Sequence, residues 1–176
     1  MNITKTYTKD DYFAAIEPYL KKFDKDSLDV EKDSTLFLTA LFGAIYKSRE
    51  ETENEEKKDL WENIEMDIEE FGTIGYFLEV RGTPLKYVLR VDPDDLKLAE
   101  YDGEHDMNCD YLEGCKNKIW MDWIPSVHEK LMNGDPNMSA AFFAGDVKVI
   151  GSTKLGAKPR DWIYDFMAYL DREAKT

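Results

Sequence analysis

Residues 138–160 read "MSAAFFAGDVKVIGSTKLGAKPR". A short apolar helical run stops at Gly145, an alternating strand runs to Ile150, Gly151 breaks it and a basic loop follows. Along "DVKVIG", Val147 and Val149 face one way and Lys148 the other, as in a half-buried strand. Just upstream, Asp135 is placed to cap a helix, Pro136 to occupy its first turn and Gly145 to end it. Downstream, "RDWIYDFMAYLDREA" gathers Trp162, Ile163, Phe166, Met167, Tyr169 and Leu170 in one apolar arc opposite Asp161, Asp165, Asp171 and Arg172. The C-terminal part is thus helix, strand and helix around a shared core.

Working back from this stretch, "GYFLEVRG", "KYVLRVD" and "LKLAEY" alternate with period two, putting Tyr76, Leu78 and Val80, then Tyr87, Leu89 and Val91, then Leu96 and Leu98 on one face. "TPL" and "DPDD" lie between them as turns, so the three form an antiparallel meander. "DMNCDYL" reads as a fourth strand and "DVKVIG" as the fifth. Helix is expected from about Lys116 through "IWMDWIPSVHEKLMNG", interrupted or restarted at Pro125. The fold class is therefore α+β: a five-stranded, mostly antiparallel sheet with helices on one face.

The first 70 or so residues read as helix. Phe13, Ile16, Leu20 and Phe23 recur at helical spacing behind Asp10 or Asp11 as cap, with a kink or restart expected at Pro18. Leu36 to Lys47, capped by Asp33 or Ser34, is apolar nearly all round and belongs in a core. "SREETENEEKK" is a solvated acidic hinge, and a third helix puts Leu60, Trp61, Ile64, Ile68 and Phe71 on one stripe. Residues 1–58 are read as a helical extension packed on a main domain, 59–176.

Composition narrows the function. The chain has 176 residues, 43% of them hydrophobic, which suffices for a full core. Its net charge of -14, from 37 acidic and 23 basic residues, opposes binding to nucleic acid or to anionic lipid surfaces. No charged and then apolar leader opens the sequence, and the run Leu36 to Tyr46 is well short of the ~20 residues that span a bilayer. A soluble cytoplasmic protein is expected, monomer or homodimer, without stable membrane insertion. Cys109 and Cys115 are read as reduced thiols.

The segment "AAFFAGDVKVIGS", Ala140 to Ser152, resembles the C-terminal signature of the sterol carrier protein type-2 family. The resemblance covers roughly residues 60–176. It implies an SCP-2-like sheet covered by helices, enclosing an apolar tunnel for a fatty acid, fatty acyl thioester, sterol or phospholipid, with no catalysis and no cofactor. The chain departs from that pattern in its added N-terminal helices and in a longer, more aromatic segment after Gly151.

On this reading the ligand-lining candidates are Tyr76, Leu78, Tyr87, Leu89, Phe142, Phe143, Val147, Val149, Trp162, Phe166 and Leu170; the same periodicity also marks plain core positions. Lys148, Lys154, Lys158 and Arg160 form a basic cluster suited to an anionic headgroup, or are ordinary solvated cations. Burying an alkyl chain gains about 0.8 kcal/mol per methylene, so binding needs no catalytic group. Other chemistry is poorly served. His105, Asp106, Cys109 and Cys115 match no zinc spacing, and no metal is expected. His128 and a cysteine lack any nucleophile context, and "GSTKLG" is not a phosphate loop. The expected protein is not an enzyme but a binder or carrier of apolar ligands. The alternative is a non-catalytic interaction module whose cavity is filled by its own aromatics.

Overall fold

The computed structural model of the chain describes residues 1–23, 28–135 and 138–173. Six strands form one mixed sheet: β1 (Asn2–Thr6), β2 (Ile74–Val80), β3 (Lys86–Val91), β4 (Leu96–Asp102), β5 (Asn117–Trp123) and β6 (Val147–Ile150), in the order β1-β4-β3-β2-β5-β6. Every neighbouring pair is antiparallel except β2 and β5, which run parallel. The helices are α1 (Lys9–Phe23), α2 (Val30–Glu50), α3 (Glu55–Phe71), α4 (Pro125–Met132), α5 (Met138–Phe143), α6 (Thr153–Gly156) and α7 (Lys158–Glu173). The fold is α+β.

Alternation sorts the sheet into two faces. Leu98, Leu89, Tyr76 and Ile119 stand in one register row across four strands, and all pack into the core shared with the helices. Phe77, Val88, Ala99 and Tyr101 face the other way and are covered by residues 103–116, whose Leu112 is fully buried. Gly75 is the point of closest approach on that face: a Cβ there would lie 2.8 Å from both Leu112 methyl groups.

Several expectations are corrected. The sheet has six strands because β1, all five of whose residues are exposed, leaves no alternating pattern to read. It is mixed because the segment after β4 does not add a hairpin strand. "DMNCDYL" instead becomes loop and a 3-10 turn (Asp110–Leu112), its Met107, Cys109 and Tyr111 packing across the back of the sheet. The helix expected from Lys116 is strand β5 up to Trp123; Ile119, Met121 and Trp123 alternate into the helix-side core, and helix begins only at Pro125. The N-terminal segment is not purely helical, since β1 belongs to the sheet, and the boundary drawn between residues 58 and 59 falls inside α3.

Local signals fix the remaining ends. Thr8 and Asp11 bond reciprocally at the start of α1, which continues unbroken through Pro18. Asp29, not Asp33 or Ser34, caps α2 by accepting from the Lys32 amide at 2.9 Å. From Phe37 to Tyr46 every α2 residue is buried, so this helix is the centre of the helical layer. Gly145 ends the segment after α5 as read, Asp135 stands ahead of the helix's first residue, Met138, and Pro136 lies outside the described residues. Among the described residues no helix is long and apolar enough to cross a membrane.

Candidate functional site

The structure divides the candidate lining residues into two groups. Tyr76, Leu78, Tyr87, Leu89, Trp162, Phe166 and Leu170 stand in the closed interior between sheet and helices, each 7% exposed or less. Phe142, Phe143, Val147 and Val149 stand together at the β6 edge, around an open cleft.

The interior is filled by the chain itself. Phe166 packs against Tyr19 of α1 and Phe37 of α2, with ring centroids 5.6 and 6.1 Å away. Tyr76 meets Trp162 edge-on at 5.6 Å and donates its hydroxyl to the Leu155 carbonyl at 3.1 Å. Full burial raises the Tyr76 phenol well above its ordinary pKa, keeping it a neutral donor. Tyr87 shares a hydrogen bond with Thr35 at 3.0 Å. The void left among Phe37, Tyr76, Met121, Trp123, Trp162 and their neighbours measures about 30 Å³. That admits an oxygen-sized group and no alkyl chain. Much of the filling is α2, whose residues from Phe37 to Tyr46 are all buried.

The cleft at the sheet edge is different. It measures about 210 Å³ and is walled by Phe142 and Phe143 of α5, Val147 and Val149 of β6, Thr153 and Gly156 of α6, Ala157 at the α6–α7 turn and Arg160 in the first turn of α7. Its rim ring, Phe143, is 88% exposed, and Phe142 is 42% exposed. The short helix ends at Gly145, and the chain returns at once as β6, so both phenylalanines are carried beside the strand's helix-facing side chains. Thr153, Gly156 and Ala157 escaped sequence reading because small residues in a four-residue helix and the turn after it carry no periodic signal; only their position after the strand marks them.

The four basic residues do not form one cluster. Lys148 lies on the opposite face of β6 from Val147 and Val149, in register with Asp122. Lys154 pairs with Glu70, and Lys158 lies 2.7 Å from Asp67, whose second oxygen accepts the Trp162 indole hydrogen at 2.8 Å. The bond to Asp67 holds the Lys158 ammonium above its usual pKa. These pairs fasten the α6–α7 turn to α3. Arg160 alone of the four lines the cleft, and it pairs with the adjacent Asp161 at 3.0 Å.

His128 and the cysteines lie on opposite sides of the sheet. The imidazole is fully buried in the helix-side core, while Cys109 and Cys115 are free thiols on the loop side. Burial lowers the His128 pKa to about 3, so it is neutral at physiological pH. Among the described residues no group of three or more His, Cys, Asp or Glu side chains gathers that could hold a metal ion. No family model, no curated protein and no solved structure matches the chain.

Proposed function

We propose that this protein binds an uncharged hydrophobic small molecule, with the cleft between α5, β6 and the α6–α7 turn as its site. The observation that carries the reading is an open apolar cleft of about 210 Å³ rimmed by a phenylalanine that is 88% exposed, in the segment that resembles the sterol carrier protein type-2 signature. A neutral ligand is favoured over an anion because Lys154, Lys158 and Arg160 each already face a carboxylate, in a chain of net charge -14. Apolar burial then supplies the affinity, at about 0.8 kcal/mol per methylene removed from water. The site lies at the mouth of the fold and not in a through-going tunnel, so ligands of modest length fit it best.

The test is titration of the full chain with the neutral fluorophore N-phenyl-1-naphthylamine. Saturable enhancement is expected, and Phe143→Asp should weaken it at least tenfold with an unchanged melting temperature, since the ring is mostly in solvent. Absence of saturable binding by the native chain refutes the reading. The filled interior and the exposure of Phe142, Phe143 and Ile150 favour a second reading, a non-catalytic interaction module that uses this edge. Concentration-dependent assembly abolished by Phe143→Asp, with no dye binding, would support it.

A further inference from the structure

Two walls of the cleft are α5 and β6; the third, made by Thr153, Gly156, Ala157 and Arg160, belongs to α6 and the first turn of α7. Contacts outside the cleft set the position of that third wall. On the strand side, a Cβ at Gly156 would lie 3.2 Å from Ile119 Cδ1 and 3.3 Å from Val149 Cγ1, so α6 lies flush on β5 and β6. On the α3 side, one buried carboxylate does the holding. Asp67 is 6% exposed; its Oδ1 lies 2.7 Å from Lys158 Nζ, and its Oδ2 accepts the Trp162 indole hydrogen at 2.8 Å. Lys158 and Trp162 are four residues apart and so neighbours on one face of α7, and Arg160 of the cleft wall stands between them in sequence.

A buried ion pair is poor ground for stability alone, because desolvation offsets much of the attraction. What it supplies is direction. The packing of Ile163, Phe166 and Leu170 holds α7 down on the core, but apolar attraction is non-directional. Bonds to both oxygens of one carboxylate fix the start of the helix in place. Farther along α7, Asp165 accepts from Asn63 at 2.9 Å and Glu173 pairs with Lys57 at 2.6 Å, so those ties act on the distal part of the helix. The pair of Lys154 with Glu70 adds little, since those side chains are 66% and 47% exposed.

We infer that Asp67 is the positioning residue of the cleft: through Lys158 and Trp162 it sets where α7 begins, and so how far Ala157 and Arg160 stand from Phe142, Phe143 and the valines of β6. The inference rests on the apolar-ligand reading above and adds its size selection. With the clasp closed, the cleft of about 210 Å³ suits a compact uncharged aromatic molecule. With the clasp cut, the start of α7 draws away from the phenylalanines; a small ligand then loses wall contacts and a larger one gains room. Size discrimination thus depends on a carboxylate that does not line the cleft.

The experiment titrates the full chain with N-phenyl-1-naphthylamine and with the bulkier neutral dye Nile red, and follows the Trp162 indole proton by NMR. Asp67→Asn and, separately, Lys158→Met should each raise the ratio of Nile red to N-phenyl-1-naphthylamine affinity at least fivefold over the native chain. In Asp67→Asn the indole resonance should also move upfield, since an amide oxygen is a weaker acceptor than a carboxylate. A lowered melting temperature with an unchanged ratio makes the pair structural only and overturns the inference, while dye binding by the native chain keeps the cleft reading standing. Should Asp67→Asn not fold, Lys158→Met decides, because it cuts the same pair from its more exposed side. Absence of saturable dye binding by the native chain removes the cleft reading and this inference together.

Discussion

At the scale of single residues, Gly43 shows how a position can defy its own propensity. It sits in the middle of α2, where alanine is favoured over glycine by about 1 kcal/mol. Yet a Cβ at Gly43 would stand 2.3 Å from the Tyr12 carbonyl oxygen of α1, so the two helices touch backbone to backbone. Gly43→Ala should therefore destabilise the protein by about 1–3 kcal/mol, the usual scale of overpacking, against the direction of helix propensity. Urea denaturation followed by circular dichroism checks it; a gain in stability would show that α1 moves freely. The shift would also reach the sheet, because the Tyr12 hydroxyl accepts the Leu98 amide of β4 at 3.0 Å. None of this is legible in "ALFGAIY", where the glycine looks like one more small residue of an apolar helix. The burial of Phe166 and Trp162 was legible, since an amphipathic arc states which side is inside. It does not state whether that side meets a ligand or another helix.

At the scale of elements, the edge strands decide what the sheet can do. β1 covers β4 from Asp102 to Ala99, with an irregular register between Ile3 and Lys5 that blunts it as a template. Beyond β1, the Tyr12 and Tyr46 hydroxyls accept the Leu98 and Leu96 amides at 3.0 and 2.9 Å, finishing the edge with side chains. Deleting residues 1–6 should expose β4 and give concentration-dependent self-association in light scattering, with helical circular dichroism retained. A monomeric deletion variant would show that the tyrosines and α1 suffice. The meander β2-β3-β4 and the strand β6 could be read from sequence because apolar residues hold every second position while charged or small residues interrupt the other face, even though loop residues 103–116 cover that second face across β2, β3 and β4. β5 could not: "IWMDWI" is apolar on both faces, since Trp120 packs on the loop side while Ile119, Met121 and Trp123 face the helices. A strand covered on both sides and a helix turn give the same apolar run. The cleft shared this limit, as its valines and phenylalanines were visible but its turn residues were not.

At the scale of the molecule, stability should depend on acid through His128. Its folded pKa is about 3 against an ordinary 6.5, because burial disfavours the charged ring. Above pH 6.5 neither folded nor unfolded chain protonates it, and it adds no pH dependence. Between 6.5 and 3 the unfolded chain takes up a proton that the folded chain refuses, so stability falls as pH falls, by up to about 1.4 kcal/mol per unit. Urea midpoints of the native chain should decline from pH 7 to pH 5, and His128→Leu should flatten that part of the curve. Equal slopes would mean that the ring is hydrated in solution. The sheet order carries a consequence of another kind, for the chain while it is being made. Strands β1 to β4 are complete by Asp102, but β2 gains its second neighbour only when β5 has followed. Until then the nascent sheet ends at β2, a strand of mostly buried side chains with one side of its ladder open. A nascent chain whose β2 to β4 have left the ribosome's exit tunnel while residues 103–123 have not thus exposes an open strand edge, and the speed of translation over the stretch that brings residues 103–123 out of the tunnel governs how long that form persists.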